Sequence, residues 1–176
     1  NCHAGKLPFY RGRSVLNWAI INGEKFFGIT IHYIDHQIDT GKIILQKIIK
    51  INKKDYFNNV LQKAYKNCPL LLFKAVKQIK RKKHKTIDQK KISKNFSYYK
   101  KRKKGDEVID WNKKSIEIYN FIRGLSSPGP IAKSYINKKK ISIMESSVYT
   151  LKPKTNEKPG TILNIKNNKI YVKTID

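Results

Sequence analysis

A chain of 176 residues with 39% apolar side chains can build one sizeable core, or one partial domain with a smaller second one. Its longest apolar runs, such as Pro69-Leu70-Leu71-Leu72-Phe73, are too short to cross a bilayer and residues 1–13 carry no apolar leader, so a soluble, cytoplasmic protein is expected. The formal net charge of +27 invites contact with phosphates, but 34 of the 39 cations are Lys and only five are Arg, a pattern that fits a solvated surface better than bidentate phosphate recognition.

Asn1 to His3 reads as the end of a buried strand, followed by a loop over Gly5–Gly12 with Pro8 as its turn residue. Ser14 is the expected N-cap of a short helix through Ile21, ended by Asn22-Gly23. Gly28–Ile34, rich in β-branched and aromatic residues, reads as a strand; His36–Gly41 reads as a loop and Lys42–Ile51 as a second strand. From Asp55 to about Arg81 the apolar spacing predicts an amphipathic helix, kinked or divided at Pro69 and closed by the run Lys80-Arg81-Lys82-Lys83-His84-Lys85.

Thr86 to Glu107 is polar and lysine-rich without clear periodicity, and is expected to be a linker with little core of its own. A helix over Lys113–Arg123 follows, and Ser126-Ser127-Pro128-Gly129-Pro130 breaks the chain. Ala132–Ile136, Ile141–Thr150, Gly160–Ile165 and Lys169–Ile175 read as short strands joined by Asn and Lys turns, the pattern of a small barrel or sandwich. The expected organisation is therefore a catalytic part over 1–85, a linker over 86–107 and a C-terminal domain over 108–176.

Two thiols, Cys2 and Cys68, make neither a disulfide framework nor a zinc site, so no metal is expected. The chemistry is expected instead from Asn1, His3 and Asp39. Asn1 and His3 are two apart on a strand and share a face. Asp39 lies in the Ile38-Asp39-Thr40-Gly41 turn, where its ordinary role is to stabilise the turn. If Asp39 meets His3 in space, the carboxylate favours the protonated imidazole, and an amide donor beside an imidazolium can stabilise an oxyanion at a carbonyl under attack.

Asn1-x-His3, the Leu7-Pro8-x-Tyr10-Arg11-Gly12 loop, Trp18-Ala19-Ile20-Ile21-Asn22-Gly23-Glu24, Gly28-Ile29-Thr30-Ile31-His32 and Ile38-Asp39-Thr40-Gly41-Lys42-Ile43-Ile44-Leu45 follow one another in an order that resembles the formyltetrahydrofolate-dependent formyltransferases. The resemblance continues at Lys104–Trp111, Ile118–Leu125 and Lys158–Leu163, which look like the entry, helix and a strand of the C-terminal domain of the methionyl-tRNA formyltransferase group. It implies an α/β fold, the later part of a Rossmann-like domain with a parallel sheet, followed by an OB-like barrel. It also implies 10-formyltetrahydrofolate as formyl donor and Asn1, His3 and Asp39 as the catalytic set. Asp35, Ile38 and Thr40 would face that donor, and Leu7, Pro8, Tyr10, Arg11 and Arg13 the acceptor.

Two departures bear on function. Arg11-Gly12-Arg13 followed by Leu16-Asn17-Trp18 looks more like the enzymes that formylate amino sugars on nucleotide carriers than like those that act on tRNA, so an amino-sugar nucleotide is the expected acceptor and tRNA the alternative. The family also places its first β-α-β units before the Asn-x-His strand. The chain is accordingly expected to be N-terminally truncated and, alone, a poor enzyme. A rival from another class is a non-catalytic RNA-binding remnant, for which Tyr135 and Tyr149 are stacking candidates.

Overall fold

The computed structural model describes residues 1–150 and 156–176. Its centre is a three-stranded sheet in the order β1 (Cys2–His3), β3 (Phe26–His32), β4 (Ile43–Lys50). Both pairings are antiparallel, with Cys2 opposite Ile31, His3 opposite Thr30, and Phe26 opposite Lys50. This corrects the parallel sheet implied by the resemblance. The consequence is local: the antiparallel β1–β3 pair brings the Asn1 and His32 ends together, and the His32 N–H donates to the Asn1 carbonyl at 3.1 Å.

β3 is buried from Phe27 onward because both its faces are covered, which is why it reads as a nearly unbroken apolar run. One face packs under α1 (Val15–Ile21) and α2 (Phe57–Lys80), where Leu16, Ile20, Phe27, Ile29, Val60 and Ala64 form the main core. On the other, Thr30 Oγ1 donates to the Gly5 carbonyl at 2.7 Å, and Gln46 Nε2 donates to the Leu7 carbonyl at 2.9 Å and to Thr30 Oγ1 at 2.8 Å. These bonds fasten the Gly5–Gly12 loop to the sheet.

Ser14 does not cap α1 as expected: it sits in the left-handed region at φ 55° and makes no side-chain cap bond, because the extended backbone that lets a hydroxyl reach the first helical N–H groups is absent there. Pro69 leaves α2 undivided across its 24 residues. Pro69 and Tyr65, whose carbonyl it deprives of a partner, both lie on the exposed side, where water can take up that carbonyl.

The segment 86–107, expected as a bare linker, is built into the fold. Ile87 exchanges two backbone bonds with Ile43 at 2.9 Å each, α3 (Gln89–Ile92) starts behind an Asp88 cap, and β5 (Tyr98–Tyr99) pairs in parallel with β2 (Arg11–Gly12). Its lack of periodicity reflects elements of two and four residues, too short to show one.

α4 (Ser115–Gly124) buries Ile118 and Ile122 with Ile109, Leu125 and Ala132 in a second core. It docks on α1: Asn17 Nδ2 donates to the Gly124 carbonyl at 2.7 Å, and buried Arg123 donates to the Asp55 carbonyl at 2.6 Å. Beyond it, β6 (Ala132–Ile136) and β7 (Lys139–Ile143) form one hairpin, β8 (Ile162–Lys166) and β9 (Lys169–Val172) another. Their tight turns, Asn137-Lys138 and Asn167-Asn168, have positive φ at both residues, as two-residue hairpin turns require. Among the described residues the two hairpins remain separate sheets, so the expected barrel is not closed. Among the described residues neither hairpin pairs with the other, and the strand expected over 141–150 covers only Lys139–Ile143. Among the described residues no helix is long and apolar enough to cross a membrane.

Candidate active site

Asp39 is the hub. It lies at φ 56°, in the left-handed region that Asp tolerates better than most residues, and its carboxylate is turned inward with only 9% of the side chain exposed. Oδ2 accepts from the Gly12 N–H at 2.8 Å and lies 3.5 Å from His3 Nδ1. Oδ1 accepts from Asn1 Nδ2 at 3.4 Å and lies 3.5 Å from Nε2 of a second histidine, His32. The three expected residues therefore converge around one carboxylate, and His32 joins them.

The two imidazoles have different surroundings. Both nitrogens of His3 face acceptors, the Tyr10 carbonyl 2.7 Å from Nε2 and Asp39 at Nδ1, so only the doubly protonated ring can donate to both. His32 is 2% exposed, and its Nδ1 donates to the Tyr33 carbonyl at 2.7 Å, leaving the Nε2 lone pair toward Asn1 Nδ2 at 3.1 Å. Burial lowers the His32 pKa below its usual 6.5, against the Tyr33 hydrogen bond and the Asp39 charge, which raise it. One carboxylate thus holds an imidazole that can donate twice and one kept neutral.

A pH dependence of stability follows. Below about pH 6.5 the unfolded chain protonates His32 more readily than the folded one, so the folded state loses stability as the pH falls from 7 toward 5. Urea unfolding at the two pH values should show this loss for the native chain and a smaller one for His32→Gln. Equal losses in both would remove His32 as its source.

Arg11 and the Asp39 loop are joined by Gln89, from the segment expected to be a linker. Gln89 accepts from Arg11 Nη2 at 2.7 Å and Nε at 3.2 Å, and donates to the Asp39 and Gly41 carbonyls. The Arg11 guanidinium also stacks over the Phe96 ring at 4.8 Å.

Of the residues expected at the donor, Asp35 and Thr40 hydrogen-bond each other across the loop, and Ile38 is exposed. The Thr40 hydroxyl holds the Asp35 carboxyl below the usual range, opposed by desolvation and helped to a lesser degree by the Gln37 N–H. All three line a cavity of about 750 Å³ together with Arg11, Gln89 and Phe96. Of those expected at the acceptor, Leu7 and Pro8 are fully buried packing residues. Tyr10 stacks on Tyr99 and donates its hydroxyl to Glu24, and Arg13 is exposed. A second cavity of about 430 Å³, lined by Asn1, His32, Tyr33 and the α2 residues Leu72, Ala75 and Val76, opens on the other side of the site. Among the described residues no group of three His, Cys, Asp or Glu side chains is placed to hold a metal ion.

His32 and Gln89 were missed in the sequence. His32 could have been found from an antiparallel β1–β3 pairing, which sets it opposite Asn1; Gln89 left no pattern.

Comparison with known proteins shows the family. Residues 1–76 match the family model described as formyl transferase, and residues 101–176 match the model of the formyl transferase C-terminal domain. The chain belongs to the formyltransferase family. Among curated relatives of this family, the bifunctional polymyxin resistance protein ArnA of Wigglesworthia glossinidia brevipalpis is 42% identical over 93% of the chain and 24% of its own length. The methionyl-tRNA formyltransferase of Clostridium beijerinckii is 38% identical over 98% of the chain and 54% of its own length. Among solved structures, the N-formyltransferase of Helicobacter canadensis, in complex with folinic acid and dTDP-3-aminofucose, superposes with a TM-score of 0.61 at 31% identity, covering 80% of the chain and 52% of that protein. The chain spans about half the length of the formyltransferases it matches, and a quarter of the bifunctional protein.

Proposed function

We propose that the chain carries the catalytic centre of an enzyme that moves a formyl group from 10-formyltetrahydrofolate to the primary amine of an amino-sugar nucleotide. The observation that carries this reading is the convergence of Asn1, His3 and His32 on the Asp39 carboxylate, within a family whose solved members include one bound to a reduced folate and an aminosugar nucleotide.

The donor supplies an activated formyl carbon, and the residues act on what happens there. The acceptor amine attacks that carbon, a C–N bond forms to the amine, and the bond to the folate nitrogen breaks. Asn1 Nδ2 donates one N–H to His32 Nε2, and its other N–H, a long 3.4 Å from Asp39 Oδ1, is shared with the oxygen on which negative charge develops, close to the His3 ring. Such preorganised donors act without reorientation at the moment of reaction. Asp39 faces His3 Nδ1 and orients Asn1. Neutral His32 offers the Nε2 lone pair to the same amide and fixes its rotamer. The amine proton leaves through water to the carboxylate side of the cluster, and the departing folate nitrogen takes up a proton by the same water route.

The two cavities suit two substrates. The apolar one, walled by α2 and opening beside Asn1, fits the ring system of a folate, a reading that moves the donor away from Asp35, Ile38 and Thr40, which line the larger cavity instead. The other offers the Arg11 guanidinium on the Phe96 ring, with Lys90 and Lys94 at its rim, groups suited to a nucleotide diphosphate. Incubation with 10-formyltetrahydrofolate and 3-amino or 4-amino sugar nucleotides, read by mass spectrometry as the gain of one CO, tests the assignment. Formylation of a charged initiator tRNA with none of the sugars would overturn the acceptor.

That tRNA reading is the second one. It is favoured by the net charge of +27 and by the methionyl-tRNA formyltransferases among the relatives. Steeply salt-dependent binding of tRNA would accompany it.

A further inference from the structure

We propose that Gln89 is a positioning residue that sets the Asp39 carboxylate in place and couples it to Arg11. Its side chain is 2% exposed, and every hydrogen bond it makes goes to the site or to the loop that carries it. Nε2 donates to the Asp39 carbonyl at 2.8 Å and to the Gly41 carbonyl at 2.9 Å, and Oε1 accepts from Arg11 Nη2 at 2.7 Å and Nε at 3.2 Å. The amide orientation is fixed by its neighbours, since the reverse would set its N–H₂ against the guanidinium and its oxygen against two carbonyls.

The placement of Gln89 is itself secured. The paired Ile43–Ile87 bonds stop two residues before it, and the Asp88 cap, accepting from the Lys90 N–H at 2.9 Å, starts α3 at Gln89. The Asp39 backbone, by contrast, is held in the left-handed region, and Gln89 grips the carbonyls on either side of Thr40. Without that grip the peptide at Asp39 is free to leave this conformation, and the carboxylate would leave the Gly12 N–H that it accepts from at 2.8 Å. Arg11, on the strand next to Gly12, is fastened by the same amide. One buried side chain thereby fixes the distance between the carboxylate and the cation facing the larger cavity.

The Gly12 N–H reports this directly. Its neighbours Arg11 N–H and Arg13 N–H donate to the Ser97 and Tyr99 carbonyls across the β2–β5 pair at 2.9 Å each, whereas Gly12 N–H donates to Asp39 alone. In the full chain, without any substrate, amide hydrogen exchange of Gly12 should rise about tenfold or more in Gln89→Leu and in Gln89→Glu, while the Arg11 and Arg13 amides and the buried β3 amides keep their native rates. Gln89→Glu retains the acceptor for Arg11 and loses the donors to the loop, so it carries the test if the Leu variant does not fold. An unchanged Gly12 rate in the folded variant overturns the proposal, as does a rise shared by β3, which would mark a general loss of stability.

The inference rests on the proposed function only where turnover is concerned. There Gln89→Glu should lower kcat about tenfold with KM for the formyl donor changed less than about twofold, because a displaced Asp39 affects the reacting centre more than ground-state binding. A fall in kcat with native Gly12 exchange would contradict the positioning role. Faster Gly12 exchange leaves the positioning role standing whether or not the chain alone formylates an amine.

Discussion

Asp39→Asn is expected to lower the turnover of formyl transfer by about a hundredfold or more, with a smaller change in substrate affinity. The substitution keeps the size of the side chain and removes one of two acceptor atoms together with the charge. In the native site Oδ2 serves the Gly12 N–H and His3, and Oδ1 serves Asn1 and faces His32. An amide can meet only one side with an oxygen; the other side meets its N–H₂, which opposes either the Gly12 donor or the Asn1 donor. His3 Nδ1 loses the carboxylate it faces at the same time, so the side chains around the developing oxyanion are disturbed together. Steady-state kinetics, with the chain joined to the β-α-β units expected to precede it, measures the effect against the same protein with native Asp39. Turnover within about threefold of native would take Asp39 out of the mechanism.

How much of this site could be read beforehand follows from how each residue is held. Asn1, His3 and Asp39 occupy a strand end and a turn with short, distinctive spacing, and the structure brings them together as the motif suggests. β3, β4, α1 and α2 were legible because each has enough residues to show a period. His32 was hidden by an assumption about direction. In a parallel pairing the residues opposite Asn1 lie elsewhere on β3, whereas the antiparallel register Cys2–Ile31 and His3–Thr30 continues to Asn1 and His32. Gln89 was hidden for another reason: its importance comes from bonds spanning 48 to 78 residues of sequence, and its own helix has four residues. The C-terminal hairpins show the opposite failure: local strand and turn signals placed β6, β8 and β9, though the strand expected over 141–150 covers only Lys139–Ile143, whereas closure of a barrel depends on pairing between the hairpins, which local signals do not carry.

Gly41→Ala is expected to be the most damaging small substitution near the site, for reasons of space alone. A Cβ on Gly41 would lie 1.7 Å from the Tyr33 carbonyl oxygen and 2.6 Å from its carbon, and no rotamer change can relieve a clash with backbone. That oxygen is the acceptor that keeps the proton of neutral His32 on Nδ1, at 2.7 Å. The Gly41 carbonyl is one of the two that Gln89 holds, at 2.9 Å, and Asp39 lies two residues earlier. Forcing the two segments apart therefore disturbs His32, the Gln89 clamp and the Asp39 turn together. A destabilisation of about 3 kcal/mol is expected, seen as a melting temperature lower by roughly 6–12 °C in a chain of this size, and turnover should fall at least as far as in Asp39→Asn. A melting temperature within about 2 °C of native would show that the loop can move away from Tyr33 at little cost, and the close approach would then not be what fixes the carboxylate.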